Sequence, residues 1–317
     1  MWSGFRFGII ISVVVLNLAV TARSFANETD NFTCRSRPLE DSIGAVDALV
    51  NAKINEAVAR ANARGACDGS CLVRELQKTV GANVRNPLTG IGHARLAGMV
   101  DSAPGIDRCH LKFKESIYGA RPYNQPWLVV FSGRIIFLAD SIRLAGRVVG
   151  TDKINHFIRE GLAHWRAVHE GGVAIESVMA HELGAPGRQL RLNENGLKGM
   201  TLTGVLSYAD LAASYSGFRF WSDLLTPDMP ESFITRDETS GRFAHRRTFS
   251  FASYVNDAWD ETINRSAFHP VLAKQVATAL RDRSMDVPNT SCRLLTELPY
   301  SHLYLNPWCF EAEARQR

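Results

Sequence analysis

What most limits the folds open to this chain is an apolar leader followed, further on, by six cysteines. Arg6 supplies a positive start and Phe7 to Val20 form a short apolar run. Ser24-Phe25-Ala26 then places small residues at the two positions a signal peptidase reads. The run is shorter than the roughly 20 residues a spanning helix needs, and Asn17 interrupts it. Cleavage after Ala26 is therefore expected, rather than an uncleaved anchor. No cysteine follows Ala26 directly to carry a lipid, the first being Cys34, and no later segment is a long unbroken apolar run. The expectation is a signal peptide over residues 1–26 and a mature chain over 27–317, periplasmic or secreted, without a transmembrane span.

An even number of cysteines in an exported chain points to disulfides. The six are Cys34, Cys67, Cys71, Cys109, Cys292 and Cys309. Spacing leaves the pairing open. The expected arrangement is a local Cys292–Cys309 bridge, with the other four pairing among themselves. Zinc is the rival for Cys67-Asp-Gly-Ser-Cys71, but no second Cys or His pair stands at finger-like spacing. Removing Arg6 and Arg23 with the leader lowers the formal charge from +4 to +2. Without a clustered basic block, nucleic acid is not an expected partner.

Periodicity predicts one mainly α-helical domain with a small β-hairpin and disulfide-tied N- and C-terminal segments. Residues 27–149 form its disulfide-containing part and 150–317 its helical part. Val46, Leu49, Val50, Ile54 and Val58 recur at helical spacing within an Ala-rich helix over 41–63. Shorter helices are expected over Leu72–Val80 and around Ala94–Val100. Two β-rich runs within Trp127–Leu138 flank Ser132-Gly133 and suggest the hairpin. Longer helices are predicted over Asp152–His169 and Tyr208–Leu225, the latter stopped before Pro227, and further ones around Phe251–Asn264 and Pro270–Asp282.

Two clusters can carry chemistry. On a helix, Asp152, His156 and Glu160 stand at i, i+4 and i+8 and share a face that His164 continues. An Asp one turn before a His orients the imidazole, which suits a general base or a metal ligand. The plain alternative is that Asp152 or Thr151 only caps the helix. Asp210, Ser214 and Gly217 likewise share a face, and a bare Gly217 lets another helix pass closely. Ser207 with Asp210 also resembles a capping box, a purely local role.

Asp152-Lys153-x-x-His156-Phe157, followed after a Glu by Asp210-x-x-x-Ser214-x-x-Gly217, resembles the pattern of VanZ-like proteins and related exported bacterial proteins. The likeness covers about residues 150–221. Ser214 stands where that pattern usually has Asn, and the intervening Glu is best matched by Glu194. VanZ-like proteins are usually multi-span membrane proteins, and this chain has no later spans. The resemblance implies a helical fold that gathers Asp152, Lys153, His156, Glu194 and Asp210. It also implies a bacterial source, which makes the acceptor patterns at Asn31, Asn264 and Asn289 chance matches.

The expected site thus comprises Asp152, Lys153, His156, Glu194, Asp210 and Ser214. His156 acts as base or metal ligand, Asp152 as its orienter, Glu194 and Asp210 as a carboxylate pair, and Lys153 as the holder of an anionic group. A divalent metal suits such a cluster, though the ligand set selects none. The reaction class is hydrolysis or transfer on an envelope lipid or glycan. The alternative is a non-catalytic envelope or binding protein in which the same residues form a buried hydrogen-bonded network. His181-Glu182-x-x-Ala185 lacks the second histidine of a zinc protease, and no Gly-x-Ser-x-Gly elbow is present. The aromatic runs Phe218–Trp221 and Tyr254–Glu261 read as core, the alternative being a sugar- or lipid-binding platform beside the polar site.

Overall fold

The computed structural model describes residues 27–65, 67–81, 83–85, 92–119, 137–184, 199–200, 203–225, 232–283 and 293–314. The fold is mainly α-helical, and its strands pair only as five two-stranded ladders among the described residues. The helices that organise it are α1 (Ile43–Ala63), α2 (Gly69–Thr79), α3 (Arg95–Ser102), α5 (Ile175–Leu183), α6 (Tyr208–Leu225) and α7 (Pro270–Asp282). Between α3 and α5 runs a rod, α4, made of Thr151–Asn155, a π-helical segment His156–Glu160, and Gly161–His169.

Local chemistry sets these boundaries. Asp68 caps α2 by accepting from the Cys71 N–H. Pro270 sits in the first turn of α7, where its missing N–H costs nothing. Gly184, at φ 70°, ends α5 in a conformation that favours glycine. The predicted helix over 251–264 is not formed. Its place is taken by two short 3₁₀ turns, Phe251–Ser253 and Asp257–Trp259. Ser250, Asn256 and Asp260 each accept a hydrogen bond from the N–H two residues on, and these local bonds outcompete a continuous helix.

The predicted hairpin around Ser132-Gly133 lies outside the described residues. Phe137–Leu138, strand β2, pairs in parallel with Asn27–Glu28, strand β1. A hairpin does form further on, between β3 (Ser141–Leu144) and β4 (Arg147–Gly150). Its turn places Ala145 and Gly146 at φ 52° and 79°, the two positive angles of the tight turn that matches strand twist. Asp41 accepts from both turn N–H groups and holds the turn in place.

One hydrophobic cluster extends from Val46 to Cys309 and draws on all these helices except α7. Phe157 lies at its centre, with the rings of Phe220, Phe251, Tyr254 and Trp259 within 5.6 Å of its own. Ile154, Phe157 and Ile158 of α4 are fully buried, as a core-facing stripe requires. Cys34–Cys109 and Cys67–Cys71 are disulfides, so the Cys67/Cys71 pair is not a zinc site. Cys309 is also disulfide-bonded, while Cys292 lies outside the described residues. No helix among the described residues is long and apolar enough to cross a membrane. Asn31 and Asn264 are fully buried and donate their side-chain amides to backbone carbonyls, so neither is open to glycosylation in the folded chain.

Candidate functional site

The site lies where α4 crosses α6, and two glycines set the distance. A β-carbon on Gly217 would lie 1.9 Å from the carbonyl oxygen of Phe157, and one on Gly161 would lie 2.4 Å from the carbonyl carbon of Gly217. Backbone meets backbone here, so short side chains on one helix reach groups on the other. The π-helical segment begins at His156, on the same stretch of α4. Such single-turn insertions reposition side chains and displace carbonyls, and they recur at functional sites. Here the Trp221 indole N–H donates to the carbonyl of Ile158 at 2.8 Å.

Lys153 is the hub. Its side chain is fully buried, and its ammonium lies 2.8 Å from Asp152 Oδ2, 2.6 Å from Asp210 Oδ1 and 2.7 Å from Glu261 Oε1. Nζ donates to Asp152 and Glu261, whereas Asp210 Oδ1 lies outside hydrogen-bonding geometry and contributes charge. Thr29 Oγ donates to Asp152 Oδ1 at 2.7 Å, and Ser207 Oγ donates to Glu261 at 3.1 Å. Gly150 keeps this space open, because a β-carbon there would lie 1.9 Å from the Thr29 hydroxyl. Glu28 is buried beside the same charges, and its Oε2 has no hydrogen-bond partner.

These acids outnumber the cation. Burial raises the Glu28 carboxyl well above its ordinary value, with Asp210 and Glu261 adding to the rise. Burial also lifts Glu261 to about 7, against the pull of Lys153. Lys153 is held well above the usual ammonium value. Burial opposes its charge, but the three carboxylates outweigh that penalty. It is therefore a fixed cation, not an amine nucleophile.

His156 is the edge of this cage. Its side chain is partly exposed, at 14% against 4% for Asp210. Its Nε2 lies 3.3 Å from Asp210 Oδ2, and its Nδ1 lies 3.5 Å from Ser214 Oγ. When Nε2 carries the proton it points at Asp210, leaving Nδ1 as the acceptor on the side of the hydroxyl.

Of the residues singled out from sequence, Asp152, Lys153, His156, Asp210 and Ser214 are thus brought together, and Glu194 lies outside the described residues. Glu261, Glu28 and Thr29 had not been singled out. Glu261 lies in a segment whose pattern suggests a helix that does not form, so its face is not readable, and Glu28 and Thr29 belong to the chain's first described residues. Asp152 and Asp210 do more than cap: their carboxylates meet Lys153, while the Ser207 hydroxyl accepts from the Asp210 N–H. Lys153 does not hold a foreign anion, because the chain's own carboxylates surround it. Glu261 faces Asp210 across the ammonium, where Glu194 was the expected partner, and Asp210 rather than Asp152 lies against His156. His164 is buried elsewhere on α4 and faces Glu182 of α5 at 3.5 Å, whereas His181 is exposed in the last turn of that helix.

Oxygens of Asp152, Asp210 and Glu261 lie within 4.8 Å of one another, a spacing that suits a cation. The ammonium of Lys153 holds that focus, and a divalent ion there would have to displace it. Comparison with protein-family models, with curated proteins and with solved structures finds no match to this chain.

Proposed function

We propose that this chain is an exported envelope protein in which His156 and Asp210 perform acid–base chemistry, by hydrolysis or group transfer, on an envelope lipid or glycan. The observation that carries this reading is the 3.3 Å contact between a buried carboxylate and the one imidazole of the cluster that reaches toward solvent. His156 is the proton carrier, Asp210 sets its tautomer, and the Lys153 cage fixes Asp210. A second feature favours chemistry over a purely structural lock. A lock is best served by groups that keep one charge state, yet burial raises both Glu28 and Glu261, and carboxyls shifted in this way cluster at functional sites. The resemblance of Asp152-Lys153-x-x-His156 and Asp210 to the VanZ-like pattern supports this reading. The disulfides and the leader support export.

The competing reading is a non-catalytic protein whose cage only ties α4, α6 and the N-terminal segment together. The full burial of Lys153 favours it. His156→Gln separates the two, because it keeps the size and polarity of a partly exposed side chain. Acid–base chemistry requires wild-type thermal stability and at least a hundredfold loss of turnover on envelope lipid or glycan extracts. Turnover unchanged in the variant, or absent from the wild type on both extracts, would overturn it in favour of the lock.

A further inference from the structure

We propose that residues 28–35 form a strap that closes the Lys153 cage, and that the Cys34–Cys109 disulfide holds this strap shut. The cage is then completed only in an oxidising compartment. This inference rests on the export reading and not on any catalytic activity of His156.

The strap is unusual in burying polar residues in succession. Glu28, Thr29, Asp30 and Asn31 are each at most 3% exposed. Thr29 donates to Asp152 inside the cage, and its carbonyl accepts from the Tyr118 hydroxyl. Asp30 accepts from the Ile117 N–H at 2.8 Å, and Asn31 donates to the carbonyl of Val148 at 3.0 Å. Hydrogen bonds of this kind exchange for water with little net gain, so a segment near a chain end held mainly by them frays unless it is tied down.

The apolar anchorage is slight, since Phe32 belongs to a minor cluster with Ile117, Tyr118 and a few residues of α7. The covalent tie is Cys34–Cys109, which closes a loop of 75 residues. Cys109 is in turn paired by backbone hydrogen bonds to Ser141 of β3, close to the start of α4. The other described bridge, Cys67–Cys71, spans 4 residues and constrains only the first turn of α2. The two described disulfides therefore differ in role, and only one bears on the site.

Closure is a thiol–disulfide exchange. The Cys34 and Cys109 thiols give two electrons and two protons to a disulfide carrier, which leaves as its dithiol. Before that exchange Thr29 is not held against Asp152, and water reaches the cage from the strap side.

Hydrogen exchange read by mass spectrometry tests this on the full oxidised chain and on a Cys34→Ala/Cys109→Ala variant that keeps Cys67–Cys71. The expected result is exchange at least tenfold faster in residues 28–35 and in the first turn of α4, with α6 as protected as in the wild type. Unchanged protection of the strap would overturn the proposal. So would equal loss of protection in α6, because the bridge would then staple the whole fold rather than a strap. Neither readout depends on turnover, so failure here is distinct from failure of the acid–base reading.

Discussion

Gly161 of α4 and Gly217 of α6 touch backbone to backbone, so close that a β-carbon on either would overlap the other helix. The first prediction follows from that contact. Gly217→Ala forces the helices apart, because the atom it strikes is the Phe157 carbonyl rather than a movable side chain. A loss of about 1–3 kcal/mol is expected in chemical denaturation. Gly44→Ala is the control. Gly44 lies in the first turn of α1, and a β-carbon there meets nothing within 4 Å. It should stabilise by up to about 1 kcal/mol, through helix propensity alone. Equal effects at the two positions would contradict the close crossing.

Lys153→Met tests the cage. The substitution is nearly isosteric but removes the cation from the focus of Asp152, Asp210 and Glu261. Breaking a buried ion cluster from one side typically costs about 3–5 kcal/mol, because the remaining charges stay buried. Adding Glu261→Gln to Lys153→Met should recover part of that loss. Additive losses in the double variant would show that the residues do not interact.

The raised Glu261 carboxyl makes stability depend on pH in a definite direction. Its pKa is about 7 in the folded chain, against an ordinary 4.5. Between those values the folded state binds more protons than the unfolded state, so stability falls as pH rises through the window. Glu28 shifts in the same direction. The chain should therefore be more stable near pH 5 than near pH 8, with Glu261 contributing as much as about 3 kcal/mol. Glu261→Gln should flatten this dependence in denaturation curves taken at the two pH values. A wild type more stable at pH 8 would refute the assignment.

Much of the site's scaffold is legible in the residue order. The i, i+4 spacing of Asp152 with His156, and of Asp210 with Ser214, needs only helical geometry. Gly217 announces a close helix crossing because a bare position inside a helix has few other uses. The content of the cage is less legible. Lys153 reads as an anion holder or as one member of a buried network, and the sequence does not choose, since a lysine is normally buried only when acids meet it. Two of those acids come from α4 and α6, but Glu261 comes from 108 residues further along the chain. It lies in a segment whose apolar pattern resembles a helix, and Asn256 and Asp260 break that pattern by bonding to their own backbone. Thr29 reaches Asp152 from 123 residues away.

The residue order alone carries the helical class, the pairing of Asp152 with His156 and of Asp210 with Ser214 on helix faces, and the apolar N-terminal run and cysteines from which export is proposed. These follow from local rules: period, capping and composition. Tertiary structure alone decided that Lys153 turns inward, that Asp210 rather than Asp152 meets His156, and that the N-terminal segment closes the cage. The reason is physical. Whether a charge can be buried depends on the counter-charges that distant segments bring to it, and no local pattern encodes that supply.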